Sequence, residues 1–409
     1  MVPIEKQWRN SVSRRQALRS LAGFLAASPL LHSQQDPFRD HSRVPGIDEL
    51  LTTFDFEAVA YAKLPRQAYH YTAHGTESES TVRRNREAFE WVKMLPRAIA
   101  DVSSIDASTE LLGVSMKFPI LIAPSSGHGA LHPEGEVATH RGASAASTTM
   151  ILSYGASLRS EEIVKAGSGP MWSQLYGREK FEENLPLVEG VQAAGFQAIV
   201  LTVDQTAAYY ERVQHMQHLS GRANRGGPSS RGRRGSGRGP EGEESSNPYN
   251  IRYDRLWYNW PFIEKIRPYI KVPFLAKGIL TPQDAKMCVE SGLDGIIVSN
   301  HGGRSMDYGS STLEVLPEIV DAVAGRIPVL IDSGFRRGSD VLKALALGAK
   351  AVCLGRVPRW GLASFGDAGV QRVLEIMQAE LLLAMAHTGR PNLASIDRSL
   401  VRTSFPWAR

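Results

Sequence analysis

Apolar, β-branched runs recur along most of this chain, each followed by a stretch with helical spacing. The runs are Pro119–Pro124, Met150–Tyr154, Met171–Leu175, Ala198–Val203, Pro273–Ala276, Gly295–Ser299, Pro328–Asp332 and Ala351–Leu354. Helical patterns such as Glu134–Ser147, Phe181–Ala194, Thr281–Ser291 and Ser339–Leu347 lie between them. Strands apolar on both faces belong to a parallel sheet that is covered on both sides. Eight such strand–helix units predict an α/β fold closed into a (β/α)8 TIM barrel. An open doubly wound sheet is the structural rival.

Upstream of the first run, from Gly46 to about Ala100, the pattern is helical and amphipathic. Asp55–Ala60 and Leu64–Tyr69 fit short helices ending near Gly75, so the barrel carries an N-terminal helical extension. The chain then divides into an export-signal-like segment and linker (1–45), a barrel with its N-terminal helices (46–393) and a C-terminal tail (394–409). A length of 409 residues suits one large barrel with extensions.

Composition changes this picture in three places. Cys288 and Cys353 both lie in apolar runs and read as buried small hydrophobes, with no disulfide framework or metal set. The formal charge of +5 is local: Arg222, Arg225, Arg231, Arg233, Arg234 and Arg238 stand among Gly and Ser, with no acid until Glu241. Residues 221–245 are therefore expected to be a mobile basic loop, inside an interval much longer than an ordinary connection. The loop lacks the interleaved aromatics of a nucleic-acid surface, and its charge suits peripheral contact with anionic lipid. Finally, Ser13-Arg14-Arg15-Gln16-Ala17-Leu18-Arg19 before the apolar Leu21–Leu31 is similar to a twin-arginine export signal, which implies a periplasmic or exported location. Ala17 departs from that pattern, and the alternative is a basic helix on a cytoplasmic protein. The apolar stretch is too short to span a bilayer comfortably.

In barrels of this kind the C-terminal strand ends carry the chemistry. Here every strand ends in hydroxyls, amides, ionisable groups or glycine: Pro124-Ser125-Ser126, Ser153-Tyr154-Gly155, Gln174-Leu175-Tyr176, Thr202-Val203-Asp204, Lys277-Gly278, Ser299-Asn300-His301, Asp332-Ser333-Gly334 and Gly355-Arg356. Glycines beside Arg336, Arg337 and Arg356 after the last two strands let backbone N–H groups and helix N-termini meet a phosphate. A phosphorylated substrate and a nucleotide cofactor satisfy that pattern equally.

Val298-Ser299-Asn300-His301-Gly302-Gly303-Arg304, followed by Asp307-Tyr308, resembles the signature of the FMN-dependent 2-hydroxy-acid dehydrogenases and oxidases. Leu64-Pro65, Tyr71, Gly75, His132-Pro133-Glu134-Gly135, Gln174-Leu175-Tyr176, Thr202-Val203-Asp204, Lys277-Gly278 and Arg336-Arg337-Gly338 extend the likeness from about Asp48 to Leu393. The resemblance implies bound FMN and oxidation of an L-2-hydroxy acid to the 2-oxo acid, with His301 as base. It implies that Asp204 holds the imidazole, that Arg336 and Tyr71 grip the substrate carboxylate, and that Tyr176 lies against the hydroxyl. Lys277 would stabilise the reduced flavin. Pro124, Ser125, Ser126, Ser153, Gln174 and Thr202 would meet the ring, with Ser299, Asp332, Gly334, Arg336, Gly355 and Arg356 toward the ribityl chain and phosphate. Hydride transfer and carbanion formation call on the same residues. The resemblance also implies a homo-oligomer, a tetramer, and an electron acceptor that is oxygen, a quinone or a cytochrome. No Cys-x-x-Cys-His is present for covalent haem.

Two positions depart from the family. Gly155 stands where several relatives carry a bulky residue, which implies a pocket open to a side chain larger than methyl. Arg212 matches a substrate-binding arginine only after a one-residue shift. Two other readings compete: another FMN barrel enzyme of isomerase or reductase type, and a flavin-binding module without catalysis. The His-Gly-Gly-Arg segment with its Asp-Tyr argues against the first. The joint presence of His301, Arg336, Tyr71 and Lys277 argues against the second.

Overall fold

Eight parallel strands close into a barrel in sequence order. They are β1 (Ile120–Ile122), β2 (Thr149–Leu152), β3 (Met171–Leu175), β4 (Ile199–Thr202), β5 (Phe274–Ile279), β6 (Gly295–Val298), β7 (Val329–Ile331) and β8 (Ala351–Leu354). The computed structural model describes residues 43–205 and 257–406. The seam pairs β8 with β1, Val352 against Ile120 and Leu354 against Ile122. The expected strands are thus all present, and the doubly wound rival is excluded by closure.

The two-sided burial of these strands has a simple division. Leu121, Ile151, Trp172, Val200, Leu275, Ile297, Leu330 and Cys353 form a cluster inside the barrel. Their neighbours, such as Ile120, Ile122, Met150 and Ile199, join the larger cluster under the helices. Alternate residues on a strand face opposite ways, so both layers must be apolar. A hairpin of Thr109–Leu111 and Val114–Met116 adds Leu111, Val114 and Met116 to the inner cluster. These touch the same cluster as Ala198 and Ala351, at the N-terminal ends of their strands, so this end of the barrel is closed by apolar side chains. The sequence reading passed over this hairpin.

Eleven helices are described: α1 (Thr53–Lys63), α2 (Arg66–Ala73), α3 (Ser80–Glu87), α4 (Gly135–Ala145), α5 (Ser160–Val164), α6 (Leu185–Ala193), α7 (Trp260–Ile266), α8 (Pro282–Glu290), α9 (Thr312–Val323), α10 (Gly338–Ala346) and α11 (Arg356–His387). The last is broken at Phe365 and Gly366, whose backbone is non-helical. The N-terminal helices dock on the barrel by specific contacts. Phe56 of α1 meets Phe365 edge-on at 6.2 Å, and Tyr69 of α2 stacks on Trp360 at 5.2 Å. Arg84 of α3 grips the buried Glu314 with two bonds of 2.7 Å. Asn85 exchanges bonds of 3.0 and 2.8 Å with Asn300, the neighbour of His301. The extension is therefore part of the wall around the strand ends. Within the 394–409 stretch, Val401–Thr403 pairs antiparallel with Val92–Met94. Among the described residues no helix is long and apolar enough to cross a membrane. The signal-like segment before residue 43, the basic loop 221–245 and Arg212 lie outside the described residues.

Candidate active site

A cavity of about 530 Å³ opens at the C-terminal strand ends. Fifteen of the residues singled out from sequence line it: Tyr71, Pro124, Ser125, Ser126, Ser153, Gly155, Gln174, Tyr176, Lys277, His301, Asp332, Gly334, Arg336, Gly355 and Arg356. Thr202, Asp204 and Ser299 stand behind the lining and act through residues that reach it.

His301 sits on a left-handed backbone (φ 57°), an uncommon state for a residue with a Cβ. Several bonds hold it there. Its N–H donates to Ser299 Oγ at 3.1 Å, and the next two N–H groups donate to Ser333 Oγ and Asn300 Oδ1 at 3.0 and 3.1 Å. Gly303 must be glycine: at φ 73° an added Cβ would lie 2.6 Å from Val82 Cγ2. The His301 ring pairs with Asp204 through Nδ1 and Oδ1 at 2.9 Å. Burial first, then Lys277 and Arg304, push the imidazole pKa down against the pull of Asp204, and the balance leaves it lowered. Burial raises the Asp204 carboxyl, but His301 and Lys277 outweigh it and hold it below its ordinary value. At neutral pH the pair is a carboxylate beside a neutral imidazole. The other oxygen, Oδ2 of Asp204, is buried with no hydrogen-bond partner among the described residues.

Lys277 is buried and bonded to Ser299 Oγ at 2.8 Å and to Asp332 Oδ2 at 3.2 Å. Burial alone would depress its pKa; Asp332 and Asp204 reverse that and raise it, so the ammonium stays charged. On the opposite strands, Ser153 Oγ donates to Gln174 Oε1 at 3.1 Å, and Gln174 Nε2 donates to Thr202 Oγ1 at 2.8 Å. Because Thr202 takes its proton, the Gln174 amide is fixed in orientation. Ser125 Oγ meets His128 Nε2 at 3.0 Å, and His128 Nδ1 meets Thr139 Oγ1 at 2.8 Å. His128 was not singled out from sequence; burial, then Arg359, drive its pKa well below the ordinary value.

The arginines divide into two groups. Arg336 and Arg356 are both half-buried, and each pKa is lowered by burial first; Arg336 is the next cause for Arg356, which falls to about 10. Two cations that repel each other across a cavity suit a dianionic ligand. Arg337, by contrast, turns away to Glu380 with a bond of 3.0 Å. Gly334 is held at φ 89°, where a Cβ would lie 2.3 Å from Asn85 O, so a glycine is required at this bend. The second group surrounds Tyr71. Its Oη bonds Ser126 Oγ at 2.7 Å, and the guanidiniums of Arg304 and Arg359 lie 5.0 and 5.6 Å from its ring centre. Neither was given a site role from sequence. Arg304 stood in the quoted motif, four strand-end residues beyond Asn300, and that was its signal; Arg359 follows Arg356 by one helical turn.

Gly155 lines the cavity near Tyr154 and Tyr176, whose rings meet edge-on at 5.9 Å. Its missing side chain has a packing cause as well: a Cβ there would lie 3.1 Å from Ser126 Cβ.

These residues fit FMN by the chemistry of their donors. A charged lysine, a fixed amide and two serine hydroxyls can meet a ring with carbonyl and imide edges. The Arg336–Arg356 end, at the N-terminus of α11, can hold a phosphate.

The comparisons agree. The family model "FMN-dependent dehydrogenase" matches residues 60–403. A peroxisomal (S)-2-hydroxyacid oxidase of Arabidopsis thaliana is 40% identical over 362 residues, 87% of this chain and 98% of that protein. Glycolate oxidase 1 of rice (Oryza sativa) is 40% identical over 366 residues, 87% and 96% of the two chains. A solved soluble mutant of the membrane-associated (S)-mandelate dehydrogenase of Pseudomonas putida superposes with a TM-score of 0.76 at 33% identity, covering 87% of this chain and all of that one (100%). The chain belongs to the FMN-dependent 2-hydroxy-acid oxidases and dehydrogenases, and is an FMN enzyme that oxidises 2-hydroxy acids.

Proposed function

We propose that His301 is the base that takes the proton of an L-2-hydroxy acid as the 2-oxo acid forms. The observation that carries this reading is the Asp204 contact at Nδ1, which leaves Nε2 as the ring nitrogen free to meet substrate. The neutral imidazole accepts a proton, and the cation that results is stabilised by the carboxylate behind it. FMN, when bound, takes up the two electrons released by the substrate. Lys277 is a fixed positive charge where negative charge develops. Ser153, Gln174 and Thr202 form one edge of the cofactor site, with Ser125, Ser126 and Pro124 beside it. Asp332, Ser299, Gly334, Gly355, Arg336 and Arg356 lie toward its ribityl chain and phosphate, with the two arginines at the phosphate.

Tyr71 and Arg304 bind the substrate carboxylate. The resemblance gave this role to Arg336, but of the two arginines over the Tyr71 ring Arg304 is the nearer and the one whose charge acts on His301. Arg336 acts instead on Arg356 through its charge, at the end suited to the phosphate. Tyr176 lies against the hydroxyl, and Gly155 leaves room for a side chain larger than methyl. His301→Gln should stay yellow and lose about 10²- to 10⁴-fold in the rate of anaerobic bleaching by a 2-hydroxy acid. An unchanged rate overturns the assignment.

The finer readings each have a test. A substrate panel should favour mandelate or long-chain 2-hydroxy acids over glycolate; the reverse order refutes the open pocket. Reoxidation by oxygen against a quinone analogue or a cytochrome identifies the acceptor. Light scattering tests the homo-oligomer, and vesicle co-sedimentation tests the basic loop. Fractionation tests export through Arg14 and Arg15.

A further inference from the structure

Arg359 is a charged residue that the assigned roles leave unused. It lies on the first turn of α11, is 4% exposed, and lines the cavity. Its Nε and Nη2 donate to Thr72 Oγ1 at 3.1 and 2.9 Å, and its Nη1 donates to the Ser126 carbonyl at 2.6 Å. These acceptors are neutral oxygens. Among the described residues no carboxylate forms an ion pair with it; Glu136 and Tyr71 are the groups whose fields favour its charge, against the burial that lowers its pKa to about 10. It is therefore charged at neutral pH. A buried cation without a paired anion is costly, and such groups persist where they serve a site.

Each contact leads to one side chain. Thr72 follows Tyr71 on α2, Ser126 bonds the Tyr71 hydroxyl at 2.7 Å, and the guanidinium faces the Tyr71 ring. Tyr71 comes from the N-terminal extension, whereas Ser126 follows β1 of the barrel. Arg304 and Arg356 bond the backbone carbonyls at the end of α2: Tyr71 O and His74 O at 2.7 Å, and Thr72 O at 2.9 Å. They dock the helix end, where cations are favoured by the exposed carbonyls. Arg359 binds a side-chain oxygen on α2 and the barrel loop at once.

We propose that Arg359 is a positioning residue for the carboxylate-binding end of the substrate site, holding Tyr71 and Ser126 in the geometry that presents the phenol to a 2-hydroxy acid. The inference rests on Tyr71 meeting the carboxylate. Arg359→Met should raise KM for the best 2-hydroxy acid by about tenfold, with kcat and FMN affinity little changed, because charged hydrogen bonds are lost from a binding element. Binding of oxalate, followed by the flavin absorbance change without turnover, should weaken by the same factor. Arg359→Lys, which keeps the charge and loses the fork, should recover part of it. If Arg359→Met does not fold, Thr72→Val removes one acceptor alone and carries the same expectation in smaller measure. Unchanged KM and oxalate affinity in the variant overturn the proposal, as does an equal loss of FMN affinity, which would make Arg359 a cofactor-site residue. Tyr71→Phe separates the two readings: if it leaves KM unchanged, the carboxylate assignment itself fails. If it raises KM and Arg359→Met does not, only the positioning role fails.

Discussion

Asp204 Oδ1 accepts the Nδ1–H of His301 at 2.9 Å, and this one bond sets both the tautomer and the orientation of the imidazole. Asp204→Asn keeps the shape but offers an amide that can donate where the carboxylate accepts. The ring can then turn its protonated nitrogen toward the cavity. Anaerobic reduction by a 2-hydroxy acid should slow by about 10²- to 10⁴-fold with FMN retained. Stopped-flow absorbance measures it, and a rate near that of the wild type would remove Asp204 from the mechanism.

The same pair sets a pH dependence. The base works as the neutral imidazole, and burial with Lys277 and Arg304 leaves its pKa below the ordinary 6.5. The acid limb of kcat/KM should therefore fall below pH 6.5, with a plateau at neutral pH. Asp204 is the group that raises the imidazole pKa, so Asp204→Asn should move the limb further down. A limb above the ordinary histidine value would contradict this balance.

His128 gives a stability prediction of definite sign. Its folded-state pKa lies well below the ordinary 6.5, so the folded protein holds it neutral between Ser125 and Thr139. The unfolded chain binds a proton there as pH falls below 6.5, and the folded one does not. Stability is thus full above that value and is lost as pH falls toward the folded-state pKa. Melting of the apoprotein between about pH 7.5 and pH 5 should show a smaller acid loss in His128→Gln than in the wild type. Equal slopes would mean that His128 titrates normally.

Lys277 and Asp332 form a buried ion pair at 3.2 Å, with side chains 3% and 7% exposed. Removing one partner strands the other charge. Lys277→Met should cost about 3–5 kcal/mol in urea unfolding of the apoprotein, and Lys277→Met with Asp332→Asn should cost less than Lys277→Met alone. A double variant as damaged as the sum of the singles would show that the pair is not coupled.

The fold was legible because each barrel strand must be apolar on both faces, a pattern that chance rarely repeats eight times. His301, Asp204 and Lys277 were legible as polar ends of those strands. Other residues were hidden for physical reasons. The hairpin under the barrel is too short to show a period: Leu111, Val114 and Met116 gain meaning only from the inner cluster they join. Phe181–Ala194 reads as one helix, yet it is a 3₁₀ turn, Phe181–Glu183, and then α6. Asn184 makes the break by donating to the carbonyls of Arg178, Lys180 and Phe181. Arg359 lies inside an apolar helix, where nothing in the spacing marks it; its partners Thr72 and Ser126 are far away in sequence. The place of Arg304 was hidden in this same way, since only folding brings its guanidinium over the Tyr71 ring and sets the charge of Arg336 beside that of Arg356.

Gly155 tests whether specificity here is space or position. If the missing side chain simply leaves room, Gly155→Ala should raise KM for bulky 2-hydroxy acids and spare glycolate. The packing argues for a second effect. The new Cβ would lie 3.1 Å from Ser126 Cβ, close enough to move it by a few tenths of an ångström, and Ser126 holds the Tyr71 hydroxyl at 2.7 Å. A shift there reaches the carboxylate common to every substrate. Gly155→Ala should therefore weaken all 2-hydroxy acids, by roughly 1 kcal/mol of binding, with an additional loss that grows with side-chain size. Steady-state kinetics on glycolate, a mid-length acid and mandelate separate the two. Glycolate unaffected would mean that Gly155 acts by volume alone, and a loss equal across the series would mean that it acts only through Ser126 and Tyr71.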